Sequence, residues 1–182
     1  MLDLPQLGQL ITERHTTDLF RLETLEAYRA ASDEQDYQRY LAGEDAPNAA
    51  TKQPWLDRLR ADTAAGRRWR RVHALQLPLS EYLRYECEWG YTYNSQNGED
   101  VRILELDDTA MRAVTAVGDF FVIDGHHVIR STYDGTGTFT GANLVAASAP
   151  YLALAEVTWV TATPFPNWWR AHPEYHRNPH AA

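Results

Sequence analysis

Apolar positions recur at intervals of three and four through the first third of the chain and at intervals of two through its middle. Leu4, Leu7, Leu10 and Ile11 make one stripe of an amphipathic helix over residues 2–15, interrupted only by Gly8. Thr17 and Asp18 suit a helix start, yet residues 20–23 read as a short strand or bend, with a helix resuming at Thr24. Residues 32–42 predict a second helix with Tyr37, Tyr40 and Leu41 on one side, opened by a capping box of Ser32 and Gln35 and ended by Gly43. Residues 44–54 carry two prolines and read as a connecting loop; a helix is expected over 55–65, with Trp55, Leu56 and Leu59 inward and Gly66 as its stop.

From Trp69 the period becomes two. Val72, Ala74 and Gln76 alternate with Arg71, His73 and Leu75 in a strand closed by Pro78, and Ser80 is the natural N-cap of a helix over 81–91. Asn97-Gly98 marks a turn into a second strand at 100–106, and 108–114 forms a short helix. Three strands follow at 120–123, 127–133 and 138–144, joined by Asp124-Gly125 and Asp134-Gly135, which supply the left-handed positions of tight hairpins. Residues 146–162 form an apolar helix, 167–172 one or two turns more, and 173–182 a disordered tail. The sum is an α+β fold in one domain: a helical part (1–66) on a mostly antiparallel sheet, with a strand-helix-strand unit (72–106) and a β-meander (120–144).

A chain of 182 residues, 44% hydrophobic, has enough apolar surface for one sizeable core. Its net charge of −8 argues against nucleic-acid binding by bulk electrostatics. The one cysteine, Cys87, excludes an internal disulfide framework, and the N-terminal sequence has neither a signal peptide nor an apolar membrane span. The expectation is a cytoplasmic protein without metal or cofactor.

Candidate chemistry gathers in residues 66–102. On a helix, Tyr82, Tyr85, Glu86, Trp89 and Tyr93 share a face, and Glu86 is the odd member, because a carboxylate among aromatics must find donors, pair with a cation or hold a proton. Arg71 or Arg102, on the flanking strands, is its expected partner. Either Glu86 is a buried ion pair that fixes the register, or Arg71, His73, Tyr82, Arg84, Glu86, Trp89 and Arg102 line a ligand pocket with aromatic walls. As an enzyme the chain would use His73 and Glu86 as acid–base groups on a phosphate- or carboxylate-bearing substrate, with Arg71 or Arg84 as anion clamp and Glu86 or Asp119 orienting His73. As a pure interaction module it would offer the helical N-terminus and an exposed Trp168-Trp169 pair. The run from Arg67 to Arg71 reads as a surface patch beside Asp57, Asp62 and Glu81, and Asp124 and Asp134 as turn residues.

The series Phe20-Arg21-Leu22-Glu23-Thr24, Arg71-Val72-His73, Pro78-Leu79-Ser80-Glu81-Tyr82-Leu83-Arg84-Tyr85-Glu86, Gly98-Glu99-Asp100-Val101-Arg102 and Asp119-Phe120-Phe121-Val122-Ile123-Asp124 resembles an actinobacterial family of unknown function. Genes of that family lie beside helix-turn-helix regulators, which implies such a regulator, or a small acidic or phosphorylated molecule, as partner. The meander 119–143 is also similar to phospholipase D-like sensor domains. Their catalytic His-x-Lys motif is absent, since Leu75 stands where the lysine would follow His73. Together these imply a non-catalytic regulatory or accessory protein that binds a small molecule or a partner protein.

Overall fold

A computed structural model describes residues 1–177, the side chains of residues 31 and 32 excepted. One seven-stranded sheet runs through it in the order β6-β5-β4-β1-β2-β3-β7. Strands β1 (Asp18–Glu23), β2 (Arg68–Leu75) and β3 (Glu99–Glu105) are parallel neighbours. Helices α2 (Ala31–Leu41) and α3 (Ala49–Ala64) make the first crossover; α4 (Glu81–Tyr85), a π-helical turn (Glu86–Tyr91) and α5 (Thr92–Gln96) make the second. After α6 (Asp108–Val117) the chain returns to the other side of β1 as an antiparallel meander, β4 (Phe120–Ile123), β5 (His127–Tyr133) and β6 (Phe139–Leu144). Helix α7 (Ala149–Thr161), the two-residue β7 (Thr163–Pro164) on the edge of β3, and α8 (Phe165–Ala171) complete the sheet, and α1 (Leu4–Arg14) precedes it. The architecture is α+β, as the alternation of periods predicts, with antiparallel pairings outnumbering parallel ones.

Several local expectations shift. Strand β1 starts at Asp18, and no helix follows at Thr24, because Thr24 N–H and Oγ1 both donate to Asp119 and hold the chain in a loop. The N-cap of α2 is Ala30 rather than Ser32. Helix α3 begins at Ala49 rather than Trp55, capped by the Asn48 side chain on Ala50 N, and it carries Pro54 inside because Leu56 and Leu59 are buried beneath it. Trp168 is buried and Trp169 half-buried, stacked beside Phe165, so no exposed tryptophan pair exists. Residues 173–177, expected in the loose tail, pack against the body: Arg177 donates to Glu88 at 2.8 Å and lies 4.0 Å from the Tyr40 ring centroid. The rest of that tail, 178–182, lies outside the described residues.

Alternation along the strands splits the sheet into two unlike faces. On one, Phe20, Leu22, Val72, Ala74, Leu104, Phe120, Val122 and Val128 form a continuous apolar layer under α6 and α7. On the other there are two apolar patches. Leu19, Trp69, Phe121, Ile123 and Ile129 pack with α1 and α3, while Leu75, Val101 and Ile103 pack with Leu83, Cys87, Tyr91, Phe165 and Trp168. Between these patches the strand positions are Arg21, Glu23, Arg71, His73 and Glu99, so the centre of this second face is charged.

Candidate functional site

Those central charges form a row across the strands. Arg21 Nη2 lies 2.8 Å from Glu23 Oε1; Arg71 Nη1 reaches Glu23 Oε2 and Arg71 Nε reaches Glu99 Oε1, each at 2.8 Å. Asn94 of α5 donates to the second Glu99 oxygen at 2.7 Å. Burial by itself would raise the Glu23 carboxyl, but Arg21 and Arg71 outweigh it and hold it down at about 2.

His73 is fully buried beneath this row. Its Nε2 lies 3.0 Å from Leu25 O, which can only accept, so Nε2 carries the proton and Nδ1 accepts from the Tyr91 hydroxyl at 2.5 Å. That hydroxyl also lies 3.1 Å from Glu23 Oε2, and one proton serves two acceptors. Desolvation lowers the His73 pKa and keeps the ring neutral. With no exposed edge and both nitrogens engaged, His73 is a structural clamp, and neither Glu86 nor Asp119 orients it.

Tyr91 reaches that position through the π-helical turn. Thr92 N–H donates five residues back to Cys87 O, and the Thr92 hydroxyl joins it at 2.8 Å. The extra residue turns the following segment, placing Tyr91 on the sheet, Asn94 on Glu99, and Tyr93 against the apolar cluster under α1 and α3 rather than on the Tyr82 face. The same turn holds Glu86. Its Oε1 accepts from Tyr82 OH at 3.1 Å, and its Oε2 lies over Gly90, 3.1 Å from where a Cβ would stand.

Glu86 has no ion pair among the described residues; Arg71 is taken by Glu23 and Glu99. Desolvation first, then the charges of Glu23 and Asp33, push its carboxyl up to about 7. Arg71 and Lys52 oppose that rise from a distance. Lys52 sits near the start of α3 and is the single lysine of the chain. It too has no ion pair among the described residues, and burial lowers its pKa against the pull of Glu86, Asp33 and Glu99.

Tyr28 and Tyr133 close the other side. Tyr28 OH donates to Asp119 at 2.6 Å, its ring meets Tyr133 at 5.3 Å, and Arg21 lies over it at 5.8 Å. Burial keeps the Asp119 carboxyl above its ordinary value despite these donors. Arg21, Tyr28, Lys52, Glu86 and Tyr133 are each half-buried; burial lowers the Lys52 pKa and raises those of Tyr28, Glu86 and Tyr133, whereas at Arg21 the Glu23 carboxylate outweighs burial and raises the pKa. Contacts join four of these groups: Arg21 lies over Tyr28, Tyr28 meets Tyr133 and, at 6.4 Å, Tyr82, and Tyr82 donates to Glu86, so Arg21, Tyr28, Tyr133 and Glu86 border one partly open recess beside the Arg21–Glu23–Arg71–Glu99 row.

Of the residues expected at one pocket, Arg71, Tyr82 and Glu86 come together here. Arg84 points away and donates to Tyr175 O at 3.2 Å. Trp89 packs with Tyr40 and Tyr85 behind the wall. Arg102 lies on the opposite face, one strand step out of register with Arg71; it donates to Trp159 O at 3.0 Å and stacks on that ring at 3.8 Å. The Arg67–Arg71 run resolves into ion pairs, Arg67 with Asp62 and Arg68 and Arg70 with Asp18. Sequence reasoning missed Arg21, Glu23, Tyr28, Lys52, Tyr91 and Glu99. The signal for two of them was present, since Arg21 and Glu23 alternate with Phe20 and Leu22 in an otherwise apolar strand.

The fold and this recess define an α+β protein with a charged floor at the centre of a mixed sheet. Residues 5–170 match the family model described as Domain of unknown function (DUF6879), and the chain belongs to that family. A search of curated proteins finds no match. No helix among the described residues is long and apolar enough to cross a membrane.

Proposed function

We propose that the recess binds a small molecule and that the protein is a non-catalytic regulatory or accessory component whose partner reads the bound state. One observation carries this reading. Glu86 is half-buried with the Tyr82 hydroxyl as its hydrogen-bond donor and no ion pair among the described residues, whereas the Arg21–Glu23–Arg71–Glu99 row nearby is tightly paired. A buried ion pair serving only the fold would close such a gap, because unpaired burial costs several kcal/mol in rough terms. Tyrosine walls around a few convergent polar groups are the usual makeup of a ligand site. The resemblance to actinobacterial proteins encoded beside helix-turn-helix regulators, and to sensor domains lacking the catalytic lysine, supports a regulator as the partner.

Native mass spectrometry of the protein taken from its own cell tests this. The expected spectrum carries a small-molecule adduct that Glu86→Gln weakens; an adduct-free spectrum of correctly folded protein counts against it. A second reading, acid–base catalysis, draws on the Glu86 carboxyl titrating near neutrality. It no longer includes His73, which has no accessible edge.

A further inference from the structure

We propose that a cavity on the opposite side of the sheet from the Glu86 recess binds an apolar monocarboxylate, with its head on Arg130 and its tail between α6 and α7. This second site stands independently of the recess.

The cavity has a volume of about 400 Å³, within the range of small-molecule sites, and is lined by Ala116 and Val117 of α6, Pro150, Tyr151 and Leu154 of α7, and Arg130 of β5. Arg130 follows Val128 by two positions along β5, so it enters the apolar layer under α6 and α7. Arg70 and Arg102 enter the same layer from β2 and β3, and each has its partners. Arg70 pairs with Asp18 at 2.6 Å and lies 4.8 Å from the Trp159 ring centroid; Arg102 has Asp100 at 3.7 Å and lies 3.8 Å from the same centroid. Arg130 has neither a carboxylate nor an aromatic face among the described residues. Its Nε donates to Val117 O at 2.8 Å, which holds the guanidinium at the end of α6. Its Nη1 and Nη2 donors make no hydrogen bond among the described residues, and the cavity lies beside them.

A cation at a helix C-terminus is favourable, and that accounts for the Nε contact. It leaves the cavity and the free Nη edge unexplained. None of the six lining residues is acidic, so the guanidinium is the one charge that a ligand meets there. Parallel N–H groups of an arginine fit the two oxygens of a carboxylate. A single negative charge matches this single cation. A phosphate dianion would carry surplus charge against apolar walls, and an amine would be repelled. Ala116, Val117, Pro150 and Leu154 leave only apolar contacts for the rest of the molecule. Tyr151 packs edge-on against Phe120 with ring centroids 5.1 Å apart, which fixes one wall against the sheet. The chemistry that fits is a monocarboxylic acid with a short alkyl or aryl tail.

Full-length protein is titrated at pH 7 with hexanoate and phenylacetate, and with hexanol and phenylethanol as their neutral counterparts, while amide shifts are followed by NMR. At least one carboxylate is expected to bind about tenfold or more tightly than its alcohol, the worth of a charge-assisted hydrogen-bonded pair, and to move the amides of Val117, Tyr151 and Leu154. Arg130→Gln should remove that advantage and leave the affinity for the alcohol unchanged. Ala116→Phe fills the cavity from an exposed position of α6 and should weaken the acid and the alcohol together, by about fivefold or more. Neither carboxylate binding more tightly than its alcohol overturns the site, as do shifts confined to the Tyr28, Tyr82 and Glu86 recess. Arg130→Gln retaining the full advantage overturns the role of Arg130. Should circular dichroism show that Arg130→Gln does not fold, the parent and Ala116→Phe decide: an unchanged carboxylate affinity in Ala116→Phe rejects the cavity, and a weakened one supports it.

Discussion

Glu23 and Glu86 are carboxylates of one recess whose titrations run in opposite directions, and pH separates their effects. For Glu86 the folded value of about 7 lies above the ordinary 4.5, so between these limits the folded state holds more proton than the unfolded one. Stability therefore falls as pH rises through that window and stays reduced above it. Glu86→Gln removes the penalty. It is expected to be more stable than the parent at pH 8 by about 2 kcal/mol and nearly equal at pH 5, by urea denaturation at the two values. An equal difference at both would show that Glu86 is not the titrating group. Glu23, held at about 2, contributes stability that is complete above 4.5 and is lost as pH falls toward 2. Glu86 was legible in the sequence because a carboxylate interrupts an aromatic stripe. Lys52 was not, since Pro47 and Pro54 bracket it in what reads as a loop, and only burial of Leu56 and Leu59 explains why α3 extends back over it.

At the scale of elements, two glycines make distinct predictions. Gly90 lies within the π-helical turn, and its missing Cβ gives room to the Glu86 carboxyl. Alanine there gains roughly 1 kcal/mol of helix propensity, against the displacement of the end of a flexible side chain. Gly90→Ala is thus expected to melt within a few degrees of the parent, while a carbon-13 NMR titration of the Glu86 carboxyl shows its midpoint moved. An unchanged midpoint would mean that the carboxyl does not rest on Gly90. Gly137 is the opposite case. Its φ of +81° disfavours a side chain, and a Cβ would stand 2.4 Å from Ala27 O, a backbone atom that cannot swing aside. Arg29 N–H donates to Gly137 O at 2.9 Å, so this contact also fixes the loop that presents Tyr28. Gly137→Ala should cost about 2 kcal/mol or more in urea denaturation. The hairpins were readable from Asp-Gly pairs because turn chemistry is local. The π-helical turn was not, because nothing in residues 86–91 departs from an ordinary helical pattern; the displacement shows only in where Tyr91, Tyr93 and Asn94 arrive.

Across the whole molecule, the neighbours of β1 decide where the site lies. Periodicity identified the strands, but not that β4 returns to the far side of β1 while β2 pairs with it in parallel, since these pairings join residues about a hundred and about fifty positions apart. That order puts Arg21 opposite Arg71 in the register and brings Glu23 and Glu99 to either side of the Arg71 guanidinium. It also sends Arg102 to the other face, a distinction that strand parity alone would have drawn had the partner of Arg71 been known. The two arginines therefore predict unequal losses. Arg71→Met leaves two buried carboxylates without their shared cation, a change that costs about 3–5 kcal/mol where one partner of a buried pair is removed. Arg102→Met loses a loose pair with half-exposed Asp100 at 3.7 Å, one hydrogen bond to Trp159 O and the stacking on its ring, and should cost roughly 1–2 kcal/mol. Urea denaturation of both variants at pH 7 compares them directly. The Arg71 variant should also recover stability relative to the parent as pH falls below about 5, because Arg71 helps to hold the Glu23 carboxyl low and protonating Glu23 removes a charge that the variant leaves less well paired. Equal losses for the two arginines, or no such recovery in acid, would mean that the charged row is not what holds the centre of this sheet.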